Sequence, residues 1–319
     1  NIRRQRDKIN LMFMTLPFLS MIRTSCGYKD FNEYEGLLKT KVIIDYSRMD
    51  TVSNKPEQMK VVFYSTDMDY TYVCFIKDSA VVEIPVGNYK VFTFNDNSEL
   101  NRFSVSFGDH SLNEIPMIYT DEADSRGILH KDSLDKTVYY DYPDRTFADS
   151  KPFTVKGDIY TTKIDDNRLV LYPEEKTRRV EVIADGIKNQ KYIKGVRITI
   201  DSVQREYIPE LWQYPNQYVP LVFDASMLAE QERLEGSMNI FGITNGHHYL
   251  QIFIQGNGFN RILRFDVTEQ VKNQFNSKET MKIYVNANYD AFDDYPIDVS
   301  GGINIGVEDW YNEDIPANL

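Results

Sequence analysis

The chain has 319 residues, of which 42% are apolar and 13% aromatic, and its formal net charge is −12 at pH 7. This length and apolar content are enough for two buried cores of ordinary domain size. The acidic balance argues against nucleic acid as a partner, because phosphate binding requires clustered Lys and Arg.

The segment 1–25 has the pattern of an export signal. Its apolar run, LMFMTLPFLSMI, covers residues 11–22 and contains Pro17. Twelve residues fit the core of a signal peptide and fall short of the ~20 that a membrane-spanning helix needs. Four basic residues precede the run: Arg3, Arg4, Arg6 and Lys8.

Cys26 follows the small residues Thr24 and Ser25, which resembles the bacterial lipobox, where the peptide is cut before a Cys that becomes acylated. Arg23 departs from this pattern, because an apolar residue is usual at that position. We expect a lipid anchor on Cys26, a polar tether over residues 26–36 and an extracytoplasmic location. A buried N-terminal helix and a soluble secreted form are the alternatives. The second cysteine, Cys74, lies in an apolar run and is predicted to be buried.

Short β-rich runs separated by turn residues predict an all-β fold. Their spacing is typical of a sandwich or a barrel. In the first half the predicted strands are 41–46, 60–64, 70–76, 81–85, 89–94, 102–107, 115–119, 137–142, 158–162 and 169–172.

After Pro173 the pattern begins again, and we place a domain boundary between residues 174 and 175. Only residues 227–235 and 268–275 have a helical pattern, and both stretches are short. The strands predicted in the second half are 179–184, 196–202, 218–224, 238–242, 248–254, 261–267, 282–287 and 303–307.

No group of residues predicts catalysis or a cofactor, so the chain is not expected to be an enzyme. Residues 255–259 carry two glycines but stand between two strands, which predicts a hairpin turn in place of a phosphate loop. No metal is predicted either, because the histidines have no carboxylate or Cys at a ligand spacing. The four histidines, all expected at the surface, are His110, His130, His247 and His248.

An acidic run near the C-terminus is the remaining candidate for a metal. It comprises Asp290, Asp293, Asp294 and Asp298. The run lacks the ligand order and the Gly of an EF-hand, so a solvated loop is the preferred interpretation over a calcium site.

Several segments together resemble the fimbrillin-like lipoproteins of Bacteroidales, specifically an uncharacterised family of that superfamily. Beside the lipobox-like Cys, they are KVIIDYSRMDTVSNKPEQMKVVFYS (41–65), VVEIPVGNYKVFTFNDNSE (81–99), RRVEVIADGIKNQKYIKGVRITIDSV (178–203), RFDVTEQV (264–271) and GGINIGVEDW (301–310). The resemblance implies two tandem transthyretin-like β-sandwiches, over residues 37–174 and 175–319. It also implies a lipoprotein exposed on the outer-membrane surface and related to pilus subunits, with a role in pilus anchoring, pilus assembly or adhesion.

The first strand is the candidate element for strand exchange with other pilus subunits. It consists of Lys41, Val42, Ile43, Ile44, Asp45 and Tyr46. In polymerising relatives, proteolysis after an Arg removes the first strand and opens an apolar groove for a donated strand. Arg48 is the positional candidate for this cleavage, although an ordinary exposed Arg is the preferred interpretation. A chain left uncut would keep its lipid and its first strand and would suit an anchor or accessory role.

An aromatic stretch with a Pro supports a competing function, the capture of glycans for polysaccharide uptake. Trp212, Tyr214 and Tyr218 lie in ELWQYPNQYV, residues 210–219, and could form a flat platform for sugar rings. The preferred interpretation is that these rings cover the edge of a sandwich.

Overall fold

A computed structural model describes residues 36–49, 55–96, 100–106, 115–123, 137–158, 160, 162–163, 166–212, 217–277, 279–296 and 312–316. Strands dominate these residues, so the predicted all-β class is confirmed. Within the same ranges, no helix has the length and apolar character needed to cross a membrane.

Two sheets enclose the first core. The strands of the first half are β1 (Leu37–Ile44), β2 (Met59–Ser65), β3 (Thr71–Ile76), β4 (Ser79–Pro85), β5 (Gly87–Asn95), β6 (Asn101–Ser106), β7 (Ile115–Thr120), β8 (Tyr140–Asp141), β9 (Phe147–Val155), β10 (Arg168–Leu171) and β11 (Glu174–Glu175). One sheet has the order β10-β1-β4 and the other β11-β9-β5-β2-β3. Because side chains alternate along a strand, residues such as Val42, Val61 and Val91 point inward and are fully buried.

A second pair of sheets encloses the other large core. Its elements are β12 (Arg178–Lys188), β13 (Ile193–Gln204), β14 (Glu206–Tyr207), β15 (Tyr218–Asp224), β16 (Ser226–Leu228), β17 (Arg233–Ile240), β18 (Tyr249–Gly256), β19 (Asn260–Asp266), α1 (Thr268–Phe275), β20 (Met281–Asp290) and β21 (Asn312–Pro316). The sheet orders are β16-β17-β12-β20 and β21-β19-β18-β13-β15-β8. The core between them contains Val182, Ile198, Ile252 and Ile283, all fully buried.

The two halves of the chain share contacts. β8 belongs to the sheet of the second half through parallel pairing with β15, and β14 extends the small sheet β14-β7-β6. Val62, Phe92, Trp212 and Phe241 belong to one buried cluster that joins the halves. β11 includes residues on both sides of the boundary placed at 174/175, which stays a prediction.

Most predicted strands overlap an observed strand, and the helix predicted over 268–275 is confirmed as α1. Gly256 ends β18, Gly258 lies between β18 and β19, and the antiparallel pairing of these strands confirms the predicted hairpin. The helix predicted over 227–235 is wrong, because pairing of β16 with β17 and of β17 with β12 overrides the local preference of this stretch. The strand predicted over 158–162 is also wrong, since Thr162 N–H bonds back to the Asp158 carbonyl in a turn.

One long strand, β9, has no counterpart among the predicted strands. Its sequence FADSKPFTV interrupts the apolar alternation with Asp149, Lys151 and Pro152. Pairing with β5 along the whole strand decides its conformation nevertheless. The strand predicted over 303–307 lies outside the described residues.

Candidate functional site at the first strand

β1 lies in the middle of its sheet. It pairs in parallel with β10 over residues 41–44 and antiparallel with β4 over residues 37–43. Leu38, Val42 and Ile44 point into the first core and are buried, as the alternating sequence LLKTKVII dictates. The strand is therefore paired with β4 along most of its length and with β10 over its second half, and its inner face is buried within the chain.

Asp45 follows the last residue of β1, Ile44, and shapes the turn there, so the observed strand ends two residues before the predicted one. Its Oδ1 atom accepts a hydrogen bond from the Ser47 N–H at 2.9 Å. Hydrogen bonds from Ser47 lower the pKa of Asp45, because they stabilise the carboxylate. The strand passes at this point into a short 3-10 helix, Tyr46–Arg48.

The backbone at Arg48 is folded. Met49 N–H closes the turn on the Tyr46 carbonyl at 3.0 Å, and the Met49 side chain is buried. The Arg48 guanidinium lies 4.6 Å from the centre of the Tyr172 ring, and its Nη1 atom is 3.1 Å from Glu174 Oε1. The Arg48 side chain thus connects the turn to the segment that follows β10.

Tyr46 connects the same turn to the short connection between β3 and β4, which belong to different sheets. Its hydroxyl donates to the Lys77 carbonyl at 2.6 Å, and Lys55 Nζ lies 4.1 Å from the centre of its ring. Burial, together with the nearby Asp78 carboxylate, raises the pKa of Tyr46 to about 12. The end of β1 is therefore held from two sides, by the β3–β4 connection and by the segment after β10.

Removing β1 would expose two strand edges and part of the first core. It would leave the facing backbone edges of β4 and β10 without partners and would uncover the apolar core that Leu38, Val42 and Ile44 contact. Such a groove is a template for an added strand. Cys26, the predicted lipid anchor, lies outside the described residues, and its acylation stays a prediction.

The three rings of the predicted glycan platform have different surroundings. Trp212 is only 8% exposed and packs edge-on against Tyr64 at 5.5 Å between ring centres. Tyr218 is exposed, and Tyr214 lies outside the described residues. The position of Trp212 agrees with the interpretation in which this ring covers a packed surface, because it offers sugars no open face.

A different group of rings lies at the surface of the second half. Tyr192 is 4.5 Å from Tyr295 and 5.6 Å from Phe292, measured between ring centres, and Phe292 is 43% exposed. We call Tyr192, Phe292 and Tyr295 the aromatic patch. Sequence reasoning missed it, although an aromatic residue among acids in DAFDDYP is a visible signal.

The Asp290 carboxylate helps to hold the loop that carries Phe292 and Tyr295. Asp290 Oδ1 accepts from Asn189 Nδ2 at 2.7 Å and from the Phe292 N–H at 2.9 Å. These two bonds lower the pKa of Asp290, because they favour its ionised form. The exposed ring of Phe292 is therefore presented by an ordered turn.

His248 was expected at the surface, and this prediction is wrong, because the residue is fully buried. Its Nδ1 and Nε2 atoms lie 3.2 and 3.1 Å from the carbonyl oxygens of Asp201 and Thr244. Both histidines precede β18, which begins at Tyr249, and the contacts of its ring hold His248 inside while His247 stays exposed. His110 and His130 lie outside the described residues.

Two further expectations concern reactive side chains. Cys74 is buried, as predicted. The described ranges contain no group of three or more His, Cys, Asp or Glu residues that could hold a metal ion.

The profile of the DUF5119 family, a domain of unknown function, matches residues 25–224, which is more than half of the chain. The chain belongs to the DUF5119 family. No curated protein sequence matches it.

Solved structures show which fold this DUF5119 chain has. A candidate adhesin from Bacteroides ovatus matches with a TM-score of 0.60 and 17% identity, over 78% of this chain and 92% of that chain. The fimbrial anchor protein Mfa2 from Porphyromonas gingivalis matches with a TM-score of 0.49 and 11% identity, over 78% and 90%. A candidate polysaccharide-binding protein from Bacteroides thetaiotaomicron matches with a TM-score of 0.48 and 9% identity, over 78% and 89%. The predicted resemblance to fimbrillin-like proteins is confirmed at the level of the fold.

Proposed function

We propose that this DUF5119 chain is a cell-surface protein of the adhesin and fimbrial type, held in the outer membrane by lipid on Cys26. It keeps β1 and acts as an anchor or accessory protein in pilus attachment or adhesion, with other pilus subunits as partners. The fold shared with the Bacteroides ovatus candidate adhesin supports the general role. The lipobox-like sequence before Cys26 supports the anchor.

The placement of β1 carries the finer part of the proposal. A protease needs an extended stretch of backbone in its cleft, and Arg48 lies instead in a turn that Met49 closes. The Arg48 side chain is also engaged by Glu174 and Tyr172. These contacts favour retention of β1 over its removal and exchange.

The deciding experiment is intact-mass and N-terminal mapping of the protein isolated from its native membrane. We expect both the wild type and Arg48→Gln to begin at an acylated Cys26. The measured mass of each should equal the mass of its chain from Cys26 onward plus the lipid. A wild-type terminus at Met49 that is lost in Arg48→Gln would contradict the retention of β1 and would indicate a polymerising pilin.

A matched pair of cysteine variants tests the anchor separately. Cys26→Ser should move the protein from the membrane fraction to the soluble fraction, because it removes the site of acylation. Cys74→Ser should leave the protein in the membrane, since Cys74 is a buried core residue. Membrane retention of the Cys26→Ser variant would refute the lipid anchor.

Glycan capture is the second candidate function, and the exposed ring of Phe292 favours it. Aromatic rings stack on the apolar faces of sugars, and the aromatic patch brings two rings of the loop after β20 together with Tyr192. We expect Phe292→Ala to weaken retention in polysaccharide-containing gels while leaving the melting temperature unchanged. Tyr160→Ala, which removes a ring that is 88% exposed outside the patch, is the control. Equal retention of both variants and the wild type would exclude the patch as a glycan site.

A further inference from the structure

β20 is an edge strand of its sheet. It pairs with β12 along one side, and among the described strands the sheet order β16-β17-β12-β20 places none on its other side. Edge strands present unpaired backbone groups to which another chain can add a strand. What covers the outer side of β20 therefore decides whether this sheet can be extended.

Two side chains of α1 occupy that outer side. Gln270 Nε2 donates to the Tyr284 carbonyl at 2.9 Å, and the Tyr284 N–H donates to Gln270 Oε1 at 2.8 Å. Gln274 Nε2 donates to the Lys282 carbonyl at 2.7 Å, and the Lys282 N–H donates to Gln274 Oε1 at 2.9 Å. Each amide thus makes with one strand residue the two bonds that a neighbouring strand would make.

The spacing of the two elements explains why this arrangement fits. Four residues of α-helix rise about 6 Å, and two residues of strand rise about 6.6 Å. Gln270 and Gln274 lie on one helix face and so meet alternate residues of β20 in register. The amide is the side-chain group that supplies both an N–H donor and a carbonyl acceptor, as a peptide group does.

The far end of β20 is closed in another way. Asn288 has a φ of 44°, and the register with β12 shifts around Gly186. Such a bulge bends an edge strand and disrupts further pairing. Within the regular part of β20, residues 281–286, the side chains of α1 bond the backbone of Lys282 and Tyr284.

α1 itself is short and depends on its contacts. It has eight residues, below the length at which a helix is stable alone, and Val271 is its only apolar residue that is fully buried. Arg178 holds the end of the helix through the carbonyls of Phe275 and Glu279. The glutamine amides are therefore a substantial part of what seats the helix on the strand.

We propose that α1 is a guard that closes the outer edge of β20 to strand addition, and that the strand it excludes is β20 of a second copy of this chain. Antiparallel pairing of two such edges about Tyr284 would place Lys282 opposite Asn286, with no like charges facing each other. The same backbone groups would be offered by both copies, which is the requirement of a two-fold interface.

The test compares two double variants of the full chain, each with Cys26→Ser so that no lipid is attached. Gln270→Ala/Gln274→Ala removes both amides. Glu269→Ala/Asn273→Ala removes two exposed side chains at the same spacing on the same helix and is the matched control. By sedimentation velocity, we expect the glutamine variant to dimerise with a dissociation constant at least tenfold lower than that of the control.

A cross-link identifies the surface through which the copies associate. Tyr284→Cys in the glutamine variant should give a disulfide-linked dimer under mild oxidation, whereas Tyr284→Cys with both glutamines intact should stay monomeric. A glutamine variant that keeps its circular dichroism spectrum and remains as monomeric as the control would overturn the proposal. Dimerisation without enrichment of the cross-link would overturn it as well.

A third variant covers the case in which loss of both amides unfolds the chain. Gln274→Ala alone frees only the backbone groups of Lys282 and leaves the bonds of Gln270 in place. We expect it to associate more than Asn273→Ala does. Equal association of these two folded single variants would refute the guard.

Discussion

β1 and β20 are both strands with one buried face, but their backbone edges are bonded by different means. β1 has a strand on each side, with four residue pairs to β10 and seven to β4. β20 has a strand on one side and two side-chain amides on the other. Extraction of β1 must break many backbone pairs at once, whereas the backbone groups on the outer edge of β20 are bonded by two glutamine side chains of a helix that Val271 and Arg178 also hold in place. β1 is thus held by its neighbouring strands, whereas the outer edge of β20 is covered by the short helix α1.

The largest effect should come from the buried face of β1. Ile44→Ala should lower the free energy of unfolding by about 2–5 kcal/mol, because it leaves a cavity in a core where Ile44 is only 4% exposed. Urea unfolding followed by circular dichroism measures this loss. Lys39→Ala, on the exposed face of the same strand, should change stability by less than about 0.5 kcal/mol. Similar losses in the two variants would mean that β1 is not packed as described.

A smaller loss should follow from a change at the β12–β20 bulge. Gly186 has a φ of 78°, and a Cβ there would lie 2.8 Å from Asn286 Oδ1 and 3.0 Å from the Asn288 backbone nitrogen. Gly186→Ala should therefore cost about 1–3 kcal/mol of stability, measured by the same urea titration. Gly195→Ala is the control, because the nearest atom to its added Cβ is 4.0 Å away. Equal stability of the two variants would mean that the backbone conformation described at the β12–β20 bulge is wrong.

The smallest effect concerns the turn that ends β1. Because the pKa of Tyr46 is raised to about 12, the neutral phenol is favoured in the folded state. An unfolded Tyr ionises near pH 10, so this contribution to stability is complete below about pH 10 and is lost as the pH rises towards 12. The urea midpoint of the wild type should therefore fall more between pH 9 and pH 11.5 than that of Tyr46→Phe. Tyr160→Phe, at an exposed ring, should follow the wild type, and a Tyr46→Phe variant that did so too would contradict the assignment.

Local pattern was sufficient for much of the fold. Period-two alternation of β-branched and aromatic residues predicted β1, β2, β4 and β5, and the spacing of Thr268–Phe275 predicted α1, because these patterns follow from strand and helix geometry alone. β9 was not predicted, because its polar residues and Pro152 interrupt the apolar alternation, and its strand conformation depends on pairing with β5. The stretch 227–235 was misread for the same reason, because its conformation is decided by pairing with strands distant in sequence.

Part of the candidate site also followed from the sequence, and part depended on the tertiary structure. The sequence by itself determined the all-β class, the apolar face of β1, the position of Arg48 after it and the family, because these depend on residue types and their order. Only the tertiary structure decided that Arg48 lies in a turn on Tyr172, that Trp212 is buried and that Tyr192 meets Phe292. It also decided that Gln270 and Gln274 close the edge of β20. Each of these contacts joins residues far apart along the chain or on different elements, and which elements become neighbours is set by how the sheets pack.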